Sequence, residues 1–204
     1  MNVWLIAALG ALLVALGVSQ LTVPGLVAEG IEQRLTEGGG EADARVRALP
    51  AARLLLGDGD RLTIRGRGLR IDLEPGNRRE LAKLDGFGEV DVELVEFAAG
   101  PVRVREFALT RAGDDPYRLR AAGNLTPEEL AAYAAARFGG LGRLLGGLAR
   151  EAVPEVEPVT FDLAVELISE DGRLRVVRAE RATIAGLPAA LLVELLGNAI
   201  ISRL

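Results

Sequence analysis

Two stretches of the chain alternate apolar and polar residues and then change step halfway along. In the first, RLTIRGRGLRIDL, Leu62 and Ile64 set one phase, but beyond Gly66-Arg67-Gly68 the apolar positions become Leu69, Ile71 and Leu73. In the second, Val102 and Val104 are followed by Phe107 and Leu109. Successive side chains of a strand point to opposite faces, so a slip of one residue turns the apolar set to the wrong side unless the backbone absorbs an extra residue. That extra residue is a β-bulge, and bulges bend strands. Glycine at the first slip supplies the freedom a bulge needs. With a further strand through Val90, Val92 and Leu94, the pattern predicts a long sheet that coils strongly.

The remaining segments add a hairpin and several apolar helices. PVTFDLAVELI places Val159, Phe161, Leu163, Val165 and Leu167 on one face, and Asp171-Gly172 turns it into RLRVVRAERATIAG, the pattern of a β-hairpin. Val27, Ile31 and Leu35 recur every four residues up to Gly38-Gly39-Gly40, as in an amphipathic helix with a glycine stop. Thr126-Pro127-Glu128-Glu129 opens another helix, with Thr as cap, Pro at the first helical position and Glu129 closing a capping box. In FGGLGRLLGGLAREA, Leu141, Leu144, Leu145 and Leu148 share a helical face. Each glycine there costs about 1 kcal/mol against alanine, so packing or a partner must hold that helix. Its Gly140-x-Gly142 follows a helix rather than a strand, which rules out a dinucleotide-binding loop. The chain ends in LPAALLVELLGNAIISRL, whose narrow polar stripe is Glu194, Asn198 and Ser202. The expected fold class is α+β: a long, strongly curved antiparallel sheet wrapped on apolar helices and preceded by an N-terminal apolar helix.

That N-terminal helix is expected because residues Val3 to Val23, 21 in number, carry no charge. As a helix they span about 31 Å, close to the roughly 30 Å of a bilayer's hydrocarbon core. Pro24-Gly25 then ends or kinks it. A retained signal anchor over residues 1–25 is the preferred reading. A cleaved signal peptide, with Ala15-Leu16-Gly17 or Gly17-Val18-Ser19 as its small-x-small site, is the rival, and a buried core helix is the third. No basic residue precedes the run, and the first charges after it are Glu29 and Glu32, so the positive-inside rule is nearly silent. Residues 26–204 form the second unit.

Composition narrows the chemistry. The net charge is −5, without the clustered basic surplus that phosphate backbones demand, so nucleic acid is not an expected partner. There is no Cys and no His. Thiolate nucleophiles, the Ser-His-Asp relay and nearly every zinc site fall away with them. Catalysis by carboxylates alone needs two acids across a cleft. The paired acids here, Asp58/Asp60 and Asp114/Asp115, sit in GDGD and GDDP segments where Asp serves turn geometry. Catalytic residues, metal ligands and cofactors are therefore all expected to be none.

The order of these parts resembles a known family. VAEGIEQRL, then LPAARLLLGDGDRLTIRGRGLRIDL, then NLTPEELAAYA and a DGRLRV strand are similar to the actinobacterial LmeA-type phospholipid-binding family, among the tubular lipid-binding folds related to bactericidal/permeability-increasing protein. Pro50, Leu54-Leu55 and Gly57 are the best-matched set, and the resemblance covers roughly residues 26 to 185. It implies a long helix laid along a curved antiparallel sheet, an apolar groove for acyl chains, and a place on the outer face of the plasma membrane. The final helix departs from that pattern, where a strand more often closes the chain. On this reading Leu55, Ile64, Leu69, Ile71, Val92, Leu94, Phe161 and Leu163 wall the groove, and Leu141 and Leu145 form a movable lid. The ligand is a phospholipid or another acyl-chain molecule, and the role is envelope lipid or lipoglycan metabolism. The alternative is a non-catalytic, membrane-anchored scaffold that binds a protein partner through its apolar C-terminal helix.

Overall fold

The computed structural model describes residues 22–71, 82–100, 102–126, 158–170 and 172–184, together with positions 20, 193, 197, 200, 201 and 203. Helix α1 occupies residues 22–36 and buries Ala28, Ile31 and Leu35, the face its four-residue spacing marks. Strands β1 (Glu41–Arg47), β2 (Gly59–Arg67) and β3 (Arg70–Ile71) follow, with a 3-10 turn, Ala51–Leu56, between the first two. A single turn of helix, α2 (Ala82–Asp85), leads into β4 (Phe87–Ala99), β5 (Val102–Ala112) and β6 (Tyr117–Leu125). The hairpin β7 (Val159–Glu170) and β8 (Arg173–Ile184) closes the sheet. Positions 193, 197, 200 and 201 are helical, as the terminal polar stripe predicts.

The strands form one sheet in the order β1-β2-β4-β5-β6-β7-β8, with β3 also on β4. This corrects the expected fold class in three respects. The sheet is mixed: β2 and β3 run parallel to β4, and the other pairs are antiparallel. Alternation reports which face a side chain occupies, not which way its strand runs, so periodicity is blind to this reversal. Strand also far outweighs helix among the described residues. Strand β1 escapes the pattern because two of its three apolar positions are Ala42 and Ala44, which carry little hydropathy contrast, whereas β6 alternates legibly through Tyr117 and Leu119 and went unread all the same. Finally, no separate apolar helix precedes the domain within the described residues, where no helix is long and apolar enough to cross a membrane. The first described helix is amphipathic, belongs to the core and passes through Pro24 and Gly25. Most of the uncharged run lies outside the described residues.

Both expected slips are present, and a third lies between them. Arg67 and Gly68, Val95 and Glu96, and Arg105 and Glu106 are each consecutive residues off the buried face. Arg67 pairs with Val95, and Val95 with Glu106, so the three slips stand side by side across three strands. They end between β5 and β6, where the register shifts by one residue at Val104/Glu106 and β6 continues without a break. An extra residue in each of three neighbours puts one crease across that part of the sheet.

The faces of the sheet differ. The outer one carries cross-strand ion pairs: Arg61 with Glu89, Arg65 with Asp91 at 2.6 Å and Glu93 at 3.1 Å, and Arg118 with Glu166 at 3.8 Å. Such exposed pairs contribute at most about 1 kcal/mol each, so they mark a solvated face rather than a source of stability. The inner face is the core. It packs against α1 and against Val193, Ile200 and Ile201, and no polar or charged residue is buried there among the described residues.

Candidate functional site

Seven of the ten expected groove residues come together on the inner face. Ile64, Leu69, Ile71, Val92, Leu94, Phe161 and Leu163 are all between 0 and 3% exposed. Cross-strand pairing orders most of them into two rows. One runs Ile64, Val92, Leu109, Leu119, Val165; the other runs Gly66, Leu94, Phe107, Ala121, Leu163. Leu119, Ala121 and Val165 were not among the expected walls, nor were Phe107 and Leu109. The alternation Tyr117-x-Leu119-x-Ala121 was the signal that could have found β6's share of them.

Small residues set the relief of this face. A side chain at Gly66 would meet Leu69 Cδ1 and Leu94 Cδ2 at 2.9 Å, and one at Gly123 would meet Phe161 Cζ at 2.8 Å. Large neighbours therefore lean into the space the glycines leave. Phe97 and Phe107 meet edge to face, with ring centres 6.3 Å apart. The near-zero exposure of the rows means that this apolar face is fully covered in the structure.

Leu55 does not belong to that face. It lies on the 3-10 turn and is 78% exposed, beside Leu56 at 82% and Leu49 at 76%. Its partner in the leucine pair, Leu54, packs partly against the core instead. In a turn of three residues per cycle, neighbours necessarily face different ways. Leu141 and Leu145 lie outside the described residues.

A cleft of about 620 Å³ opens at the end of the sheet where β2 and β4 begin and β5 and β7 end. Its floor is a polar cluster centred on Asp85. Tyr117 Oη donates to Asp85 Oδ1 at 3.0 Å, Ser169 Oγ donates to Asp85 Oδ2, and Arg111 Nη1 reaches Oδ1 at 3.4 Å. Arg111 is only 10% exposed. Its Nη2 donates to the carbonyls of Leu84 and Asp85, each at 3.2 Å, and to that of Phe87. Its guanidinium carbon sits 4.6 Å above the centre of the Tyr117 ring. Burial pushes the Tyr117 hydroxyl pKa well up, with the Asp85 carboxylate adding to the rise against the opposing pull of Arg111.

The cluster satisfies most of its own hydrogen-bonding groups, but the Arg111 Nε is buried without a partner among the described residues. Asp85 has both oxygens occupied, and Arg111 ties the entry of β4 to the end of β5. Such a network holds strand ends together. Of the acids read as turn residues, Asp60 lies in β2 and bonds beyond its own turn. Asp60 accepts from the Leu49 backbone N–H at 2.7 Å and from Arg53 Nη1 at 2.9 Å, pinning the 49–57 loop onto β2. The Asp115 N–H closes the β5–β6 turn on the Ala112 carbonyl at 3.1 Å. No group of three acids is arranged to hold a metal ion among the described residues.

No protein-family model, no curated protein and no solved structure matches this chain.

Proposed function

We propose that the chain is a membrane-associated, lipid-binding domain that takes the acyl part of a phospholipid or similar amphiphile against the inner face of its sheet. One observation carries this reading: two uninterrupted apolar rows cross five strands, with no polar side chain in either. Ordinary cores contain such rows too, but the resemblance to phospholipid-binding proteins of the LmeA type supports the ligand, and the uncharged run at the N-terminus supports the membrane. Burial of each methylene yields about 0.8 kcal/mol. Eight of them would supply roughly 6 kcal/mol before ordering costs. Because the rows are covered, an acyl chain must displace helix contacts to reach them, so uptake is expected to be slow and membrane-assisted.

The scaffold alternative loses ground. Of the apolar residues it would offer a partner, those among the described residues, Val193, Ile200 and Ile201, are 0 to 2% exposed and belong to the domain's own core. Arg203 also pairs with Glu37 at 2.6 Å, tying the chain's end to the end of α1.

The test is native mass spectrometry of the full chain extracted from membranes, with transfer of phospholipid from labelled vesicles as the functional arm. Co-purified phospholipid that competes with added acyl chains is the expected result. Protein that carries no lipid and extracts none would end the reading.

A further inference from the structure

Large apolar side chains are not scattered over the described surface. The exposed ones are Leu26, Leu49, Leu55, Leu56, Val176 and Val177. Leu49, Leu55 and Leu56 cap the loop between β1 and β2, and Val176 and Val177 lie near the start of β8, beside Leu167 at the end of β7. Those positions belong to one end of the sheet, the end that holds the polar cleft.

The same end receives the N-terminus. The Glu32 side chain accepts from the Ala44 backbone N–H at 2.8 Å, and Gly38 and Gly40 abut Arg70 and Gly68. Helix α1 thus runs back along β1. From residue 36 to residue 22 it travels about 21 Å, while β1 and its continuation to Leu49 cover about 26 Å. The N-terminal end of α1 therefore lies close to the level of the leucine loop, and Leu26 is exposed on it. Upstream comes the run Val3 to Val23, with no charge.

We propose that the loop 49–56 is a membrane-contact element, with Leu49, Leu55 and Leu56 entering the outer part of the bilayer to which residues 3–23 direct the chain. The loop is suited to this in its rigidity. Asp60 clamps it through the Leu49 N–H and Arg53, and its last turn closes with the Gly57 N–H on the Leu54 carbonyl at 3.1 Å. Its leucines are thus held outward at little further ordering cost on insertion. Nearby charge is balanced, Arg47 and Arg53 against Asp58 and Asp60, so contact is driven by apolar burial and not by anionic lipid. This element also places the cleft floored by Asp85, Arg111 and Tyr117 at the headgroup level.

The inference rests on the membrane reading and is tested apart from acyl-chain binding. The chain has no cysteine, so single nitroxide labels can be introduced through Leu55→Cys, Leu49→Cys or Glu41→Cys in the full chain. Glu41 is exposed at the other end of β1. The chain is reconstituted in phosphatidylcholine vesicles, with sedimentation reporting whether it is bound. The label at 55 should collide with oxygen and be shielded from an aqueous nickel chelate, and the label at 41 should show the reverse. Leu55→Ser with Leu56→Ser should return the label at 49 to water, a change of about tenfold in its partitioning (about 1.4 kcal/mol). Bound protein whose label at 55 meets the chelate as freely as that at 41 overturns the proposal. So does shielding at 55 that persists without vesicles, which would mean a protein contact. Protein that fails to sediment with vesicles defeats the membrane reading itself, and the proposal with it.

Discussion

Gly68 and Glu96 stand side by side on parallel strands, and both have a left-handed backbone, with φ of 65° and 51°. The Gly68 N–H donates to the Val95 carbonyl at 3.2 Å, and the Ala98 N–H donates to the Leu69 carbonyl at 2.9 Å, so the ladder continues on both sides of the slip. The two strands change face together and keep a constant offset through the change. Only one of the pair is glycine, and the conformation costs an ordinary residue roughly 1 kcal/mol or more.

Opposite outcomes follow at the two positions. Gly68→Ala should lower stability by about 1 kcal/mol through backbone strain alone, since a side chain there meets nothing closer than 3.9 Å. Glu96→Gly should be neutral or stabilising by up to about 1 kcal/mol, its exposed pair with Arg67 being worth little. Urea denaturation of both variants reads the difference; equal losses would remove the strain argument.

Arg111 should be the most costly charged side chain to replace among those described. Arg111→Met leaves the carbonyls of Leu84, Asp85 and Phe87 without their shared donor, an expected loss of about 3 kcal/mol. Arg111→Lys should restore less than half of it, because one ammonium cannot reproduce the planar fork. Chemical denaturation compares the two.

Tyr117 makes stability depend on alkaline pH. Its folded pKa lies above the unfolded value of about 10, so above that pH the unfolded chain releases this proton first. The stabilisation is complete below about pH 10 and is lost as the pH rises further, with a slope of at most about 1.4 kcal/mol per unit. Tyr117→Phe should flatten this part of the profile between pH 10 and 11.5 in denaturation experiments. A profile identical to that of the parent would show that the hydroxyl is not held neutral.

Gly123 admits no side chain. A methyl group there would sit 2.3 Å from the Arg103 carbonyl oxygen and against the Phe161 ring. Gly123→Ala should destabilise by about 2–4 kcal/mol, whereas Gly25→Ala, with nothing within 4 Å, should cost nothing or add stability. Thermal melts of the pair provide the comparison.

Local pattern determined much of this protein. Alternation placed β2, β4, β5 and β7 and chose their inner face, because a period of two is written in neighbouring residues, and the Asp-Gly turn placed β8 beside β7. Seven of the expected wall residues lie on that face for the same reason. The slips at Gly66–Gly68 and between Val104 and Phe107 were legible as breaks in that period. The third, from Leu94 to Phe97, is the same kind of break, but the apolar Val95 inside it blurs the change of step, and pairing with β2 and β5 shows its place. Only the tertiary structure made β2 parallel to β4, turned Leu55 outward while Leu54 faces the core, and gathered Asp85, Arg111, Tyr117 and Ser169 into one cluster. The Asp85–Ser169 bond joins residues 84 positions apart. Contacts of that kind are set by which strands become neighbours, and neighbour choice is a balance of packing over the whole sheet that no local periodicity records.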